Sequence, residues 1–389
     1  MSLESLQRFL ILLGLVLVPF ISIGELLALF TGNLISQTSN LTGGFKFSKD
    51  AIFILLILLG ILNLLVKDKL NQKALLYFSL FLFIIIPSLL LSLESEIIYL
   101  AAGIRWIIPV ILPVFLFYAV DENLIVKISK YVFFLLLVHF IMQILQLLFA
   151  GSWFGTSAFG FNLRNPGLFL IPNTGAFFTI VCLYFSLFIS DFSGSKKVFI
   201  IIISSLSVFL TLSGTGLIVL LFVLFLYYAR INKLKWFVFL IPVAVLFMLL
   251  FVSFLQTRDA NYVEVSGGTR LSIFTKSLVE SNLFSSDFGL GTNSAVLLGK
   301  GEIMDSTFAS LVVNLGYIGL FLILGLIFLF LLYSVVAGYK SLFVFISIYT
   351  LFAFTTIIFE VYPVNLLMAV LLVYFMKTGI DPRISSEQT

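Results

Sequence analysis

The chain has 389 residues, of which 61% are hydrophobic, 16% aromatic and only 10% charged. A soluble core of this length cannot carry that composition, so a soluble globular protein is excluded and an integral membrane protein is indicated. The net charge of +4 comes with no basic stripe interleaved with aromatic residues, which argues against a nucleic-acid partner.

Hydrocarbon about 30 Å thick needs about 20 mostly apolar residues per crossing helix. The apolar runs predict twelve helices in one membrane domain spanning 1–389, near 9–30, 51–66, 74–92, 97–120, 131–150, 173–190, 198–212, 217–229, 235–255, 307–334, 341–358 and 361–377. The first run is longer than a signal-peptide core and lacks a small-residue cleavage pattern, so it reads as a retained helix. Arg105 falls inside the fourth run, about a third of the way in from its outer end. An unpaired charge there costs several kcal/mol, so it requires a polar cavity or a partner such as Glu25 or Glu360. On the fifth run His139, Gln143 and Gln146 lie at i, i+4 and i+7 and form one polar stripe suited to interhelical hydrogen bonding. The single cysteine, Cys182, lies in an apolar run and precludes an intrachain disulfide. Ser204, Ser205, Ser207 and Thr211 on the seventh run suit close helix packing.

Two connections are long, 151–172 and the 51-residue stretch 256–306; long loops within compact domains are usually functional. In the first, Arg164 precedes the turn Asn165-Pro166-Gly167. The second contains Arg258, Arg270, Glu302 and Asp305. Within it Leu271, Phe274, Leu278 and Val279 have helical spacing, which predicts a short amphipathic helix near 270–284 lying on the membrane surface. The following Phe288-Gly289-Leu290-Gly291-Thr292-Asn293-Ser294 reads as a flexible turn rich in backbone donors.

Cytoplasmic loops carry an excess of Lys and Arg. With the N-terminus inside, 14 of the 22 basic residues fall on the cytoplasmic side and 8 outside. Both termini are therefore expected in the cytoplasm. Arg105, Arg164, Arg258 and Arg270 are expected on or near the outer side, where they would form an anion site.

The order and spacing of several loose motifs resemble those of Wzy-type O-antigen and capsule polymerases. These are Arg164-Asn165-Pro166-Gly167-Leu168-Phe169 with Pro172-Asn173, Arg270 before an amphipathic helix, Gly289-Leu290-Gly291, and Asp305 before Leu315-Gly316-Tyr317-Ile318-Gly319-Leu320. The resemblance spans roughly 160–325, with weaker similarity at Lys46 to Asp50 and at Arg105. It implies an all-α polytopic bundle of the lipid-sugar-dependent GT-C type in the bacterial cytoplasmic membrane, with its active site facing outward. The implied donor and acceptor are undecaprenyl-diphosphate-linked oligosaccharide repeat units, with a chain-length regulator and a flippase as further partners.

The residues suit that chemistry. A diphosphate leaves readily once its growing charge is neutralised, and guanidinium groups grip phosphate oxygens with paired donors. Arg270, at the first turn of the surface helix, is the leading candidate for this task, with Arg105, Arg164 and Arg258 as further ligands and Gly289, Gly291 and Asn293 supplying donors to phosphate or sugar. Asp305 is the expected base toward the attacking hydroxyl, with Glu302 nearby. Asp305 beside Ser306 also fits an ordinary helix N-cap. No cofactor is implied, and no Asp-x-Asp pair asks for a metal.

One departure from the family is the absence of an arginine in Ser213-Gly214-Thr215-Gly216. An O-antigen ligase would resemble its relatives in placing a histidine in the large outer loop, and the chain has one histidine, in the fifth run. A lipid-linked oligosaccharide flippase is the alternative from another class; it predicts short loops, repeat symmetry and a site at the membrane midplane. A membrane acyltransferase would want a histidine near the site.

Overall fold

The computed structural model describes residues 2–30, 39–67, 72–148, 164–169, 171–228, 271–299 and 304–378. The ninth apolar run, 235–255, together with Arg258, Arg270 and Glu302, lies outside the described residues. The remainder is helical, with no strand among the described residues. In chain order the helices are α1 (Leu3–Phe30), α2 (Ser39–Lys67), α3 (Gln72–Leu91), α4 (Ile97–Leu116), α5 (Glu122–Leu148), α6 (Pro172–Tyr184, continued by a π-helical turn Phe185–Ile189), α7 (Gly194–Thr211) and α8 (Gly214–Tyr228). They continue as α9 (271–280), α10 (Asn293–Leu297), α11 (Thr307–Val336), α12 (Lys340–Ala353) and α13 (Val364–Thr378), with a 3-10 turn, Ile358–Glu360, between the last two. Eight of these elements are long and apolar enough to cross a membrane: α1 to α7 and α11. The shorter α8, α12 and α13 are apolar as well.

Helix α6 forms the centre of the bundle. It is apolar all round rather than on one stripe, and every residue from Gly175 to Ser190 is buried, as expected of a helix with no face for lipid or water. It packs against α7, α8 and α12, while α1, α2, α4 and α13 form an adjoining layer. Lipid tails remove most of the hydrophobic drive between helices, so association rests on close backbone approach and interhelical hydrogen bonds. Both are seen between α2 and α4. A side chain at Gly60 would come within 2.4 Å of Phe115 Cβ. Beside it the Gln7 amide donates to the carbonyls of Leu56 and Phe115, each at 3.0 Å, and accepts from Asn63 at 2.7 Å.

Polar clusters mark the two ends of the bundle. At one end, Arg8 pairs with Asp121 at 2.9 Å and donates to Ala119 O, Lys67 pairs with Glu4, and Lys377 donates to Val120 O at 2.8 Å. This ties the starts of α1 and α5 to the ends of α2 and α13. The opposite end gathers the start of α2, the first half of α4, the 281–299 segment and the α12–α13 turn, and it holds the candidate site.

The 281–299 segment is firmly built. Helix α11 is broken at Gly316 (φ 72°, ψ −169°), which frees the amides of Tyr317 and Ile318. They donate instead to the carbonyls of Asn282 and Leu283, both at 3.1 Å. Glycine is required here, since a Cβ would meet those same carbonyl oxygens at 2.6–2.7 Å in a left-handed conformation that costs other residues about 1–3 kcal/mol. Tyr317 also donates its hydroxyl to Leu278 O, seating α9. That helix is shorter than the surface helix predicted near 270–284. It turns Phe274, Ser277 and Leu278 inward and leaves Leu271 and Val279 exposed.

Candidate functional site

Two polar chambers open between α2, α4, the α10 turn and the α12–α13 turn. The larger, about 280 Å³, is lined by Asn173, Asp305, Thr355 and Thr356 among others. The smaller, about 200 Å³, is lined by Asp50, Arg105, Trp106 and Ser294. Lys49, Asn293, Glu360 and Tyr362 line both and form their common wall. Tyr362 is anchored by donating to Gly14 O on α1 at 2.7 Å.

Arg105 lies eight residues into α4, about 12 Å below its end at 1.5 Å per residue. Its Nε donates to Asp50 Oδ1 at 2.9 Å and its Nη1 to Ser294 Oγ at 3.2 Å. The partner seen for Arg105 is Asp50, because α2 packs directly on α4; Glu360 lines the same chamber and feels the Arg105 charge, and the side chain of Glu25 lies outside those described. The guanidinium keeps access to the smaller chamber, with 41% of its side chain exposed. The requirement for a partner or a polar cavity is met by both.

Glu360 accepts the Asn293 N–H with both carboxylate oxygens, at 3.1 and 3.2 Å. Burial raises its pKa above the usual carboxylate value, opposed by the Asn293 amides and by the positive charges of Arg105 and Lys49. Asp305 lines the larger chamber. The helix cap beside it comes from Ser306, whose Oγ accepts from Phe308 N.

The glycine turn behaves differently from its sequence reading as a flexible donor array. Its residues 288, 289, 291 and 292 are buried, and the N–H groups of Gly289 and Gly291 both donate to Asn314 Oδ1, at 2.8 and 3.2 Å. Those donors are already engaged and do not face a ligand. Gly289 has a positive φ of 99°, and a Cβ there would lie 1.9 Å from Tyr99 O; the position permits the turn to press onto α4. Asn293 does line the chambers, although its backbone N–H serves Glu360.

Arg164 does not line either chamber. Its Nε donates to Thr211 O at 3.1 Å, because the α5 stripe pins the turn that follows it. Gln143 donates to Asn165 O and Ser207 O, Gln146 exchanges two 2.8 Å hydrogen bonds with Gly167, and His139 Nδ1 accepts from Leu168 N. The link from Arg164 to the larger chamber is indirect: Ser213, adjoining Thr211, donates to Asn173 Oδ1 at 2.7 Å. Among the described charges, the smaller chamber is balanced, with Lys49 and Arg105 facing Asp50 and Glu360; of the four arginines expected to gather, Arg258 and Arg270 lie outside the described residues.

Lys49 and Asp50 were not expected at the site, and Glu360 was expected there only as a partner of Arg105. The signal for the first two was the Lys46 to Asp50 stretch; Glu360 is the one acidic residue between the last two apolar runs. Among the described residues no three of His, Cys, Asp or Glu come together as a metal-binding group. No family model, curated protein or solved structure matches the chain.

Proposed function

We propose that this membrane protein is a glycosyltransferase that joins lipid-diphosphate-linked oligosaccharide units, transferring a growing glycan onto the next unit in the manner of the Wzy-type polymerases its motifs resemble. The observation that carries the reading is the paired chamber at the loop-bearing end of the bundle, where Lys49 and Glu360 line both chambers, Arg105 the smaller and Asp305 the larger. Cations beside carboxylates answer the two demands of the reaction, which are charge neutralisation on the departing diphosphate and a base for the incoming hydroxyl. Arg105 reaches the diphosphate from within the helical span, about 12 Å from the start of α4. Arg270 and Arg258 add further positive charge to the leaving group in this scheme. The site faces outward from the bacterial cytoplasmic membrane.

Incubating purified protein with a defined polyprenyl-diphosphate-linked repeat unit tests the reading. A ladder of products differing by one repeat is expected, and Arg105→Ala reduces its rate at least 100-fold, the order seen on removing a group that stabilises developing charge. Absence of any ladder, together with movement of the unmodified unit across proteoliposome membranes, contradicts the enzyme and establishes a transporter.

A further inference from the structure

Glu360 is the carboxylate common to both chambers, whereas Asp305 lines the larger alone and Arg105 the smaller alone. In transfer to a hydroxyl, the base must reach the attacking oxygen within hydrogen-bond distance while the leaving group departs on the other side of the anomeric carbon. A group on the wall between the chamber that Arg105 lines and a second polar chamber has that placement.

The larger chamber also carries a signature of what it takes. Thr355 Oγ1 and Thr356 Oγ1 are buried without a hydrogen-bond partner, and both residues line it. In the smaller chamber the buried Trp106 Nε1 is a donor in the same condition. Buried polar groups are normally satisfied, and leaving one unmade costs about 1–3 kcal/mol. The side chains of Thr355, Thr356 and Trp106 place hydroxyl and indole donors in the chamber walls, group types that bind sugar hydroxyls and phosphate oxygens.

Resting on the polymerase reading above, we propose that Glu360, rather than Asp305, takes the proton from the acceptor-sugar hydroxyl, with the acceptor in the larger chamber and the donor diphosphate in the smaller. The acceptor oxygen bonds to the anomeric carbon of the growing chain. The bond from that carbon to the diphosphate oxygen breaks, and its electron pair leaves with the polyprenyl diphosphate. The hydroxyl proton passes to the Glu360 carboxylate. Asn293 fixes the plane of that carboxylate through both oxygens, which leaves lone pairs on each for the incoming proton.

Among the described residues, the charged groups that share a chamber with Glu360 are Arg105 from α4, Lys49 and Asp50 from α2, and Asp305 from the segment before α11. Arg105 is engaged with Asp50, and the charges of Arg105 and Lys49 act on Glu360 as well. Burial makes the group more basic than an ordinary glutamate. The base must be ionised to act, so activity falls as pH drops through this raised value.

The test compares native protein with Glu360→Gln, Glu360→Asp and Asp305→Asn in the purified ladder assay across pH. Glu360→Gln is expected to lose at least about 100-fold in rate, the usual scale for a missing general base, while still binding the lipid-linked unit. Glu360→Asp retains intermediate activity with its acid limb moved to lower pH, and this profile serves if the glutamine variant fails to fold. Asp305→Asn falls less than about 10-fold. A native ladder that survives Glu360→Gln within about 3-fold, or that is abolished by Asp305→Asn instead, overturns the assignment of Glu360 while leaving the polymerase reading in place. Native protein that binds the lipid-linked unit and makes no ladder overturns both.

Discussion

Asn314 shows how much of the site is maintained by residues that never touch it. Buried on α11, its Oδ1 accepts from Gly289 and Gly291 while its Nδ2 donates to Ser310 O at 2.9 Å. Replacing it with leucine strands two buried amides, each costing about 1–3 kcal/mol. Asn314→Leu is expected to lower unfolding stability in detergent by about 2–4 kcal/mol, read as a drop in Tm, and an unchanged Tm would refute the role given to this side chain. At the same scale the sequence disclosed part of the site. Arg105 was identifiable because an isolated charge in an apolar run demands compensation, and Asp305 because it stands at the mouth of a helix. The partner of Arg105 was not identifiable, since Asp50 lies 55 positions away and its approach depends on α2 and α4 meeting across Gly60. Glu360 was assigned to a salt bridge on similar grounds; its contact with Asn293 runs between two turns that are distant in the chain.

Among the elements, the polar stripe on α5 was legible from its spacing alone, but its target was not. The stripe holds the turn that carries Arg164, so it positions a loop as much as it joins helices. Gln146→Leu removes both partners of Gly167 and is expected to speed hydrogen exchange at that amide at least about 10-fold, a loss of about 1.4 kcal/mol in local protection. Exchange at the native rate would show that the turn holds without the stripe. The break in α11 at Gly316 has the same logic in reverse: a helix surrenders its own hydrogen bonds so that an external loop can make them. Gly316→Ala is expected to cost about 2–4 kcal/mol from left-handed strain and crowding against the Asn282 and Leu283 carbonyls. Thermal unfolding together with proteolysis within 271–299 would report it, and native resistance in both would contradict it. The sequence predicted one unbroken helix over 307–334 and marked 288–294 as a flexible turn, and glycine content alone does not separate a loose segment from one that needs glycine for tight contact.

For the molecule as a whole, composition identified the membrane class, and eleven of the twelve apolar runs coincide with helices among the described residues. Length and hydropathy suffice for that because lipid forces every backbone amide into a helix or a closed barrel. The arrangement of helices did not follow from the same signal, which is nearly uniform along the chain. The two polar ends of the bundle give the basic-residue count a physical test. A cysteine at Glu280, exposed on α9, is expected to react in intact cells with a membrane-impermeant maleimide, whereas one at Lys127, exposed on α5 at the opposite end, reacts after the membrane is opened. Cys182 is buried and silent to the reagent. The reverse pattern would place the chambers in the cytoplasm and remove the proposed route to an extracytoplasmic glycan.

The central claim is that the paired chambers hold a lipid diphosphate on one side and its sugar acceptor on the other. A structure determined with a polyprenyl-diphosphate-linked repeat unit bound tests it most directly. The phosphates are expected beside Arg105 and Lys49, with the first sugar against Glu360. Phosphates seated away from Arg105, or a ligand held midway through the bilayer with both chambers unoccupied, would contradict the account.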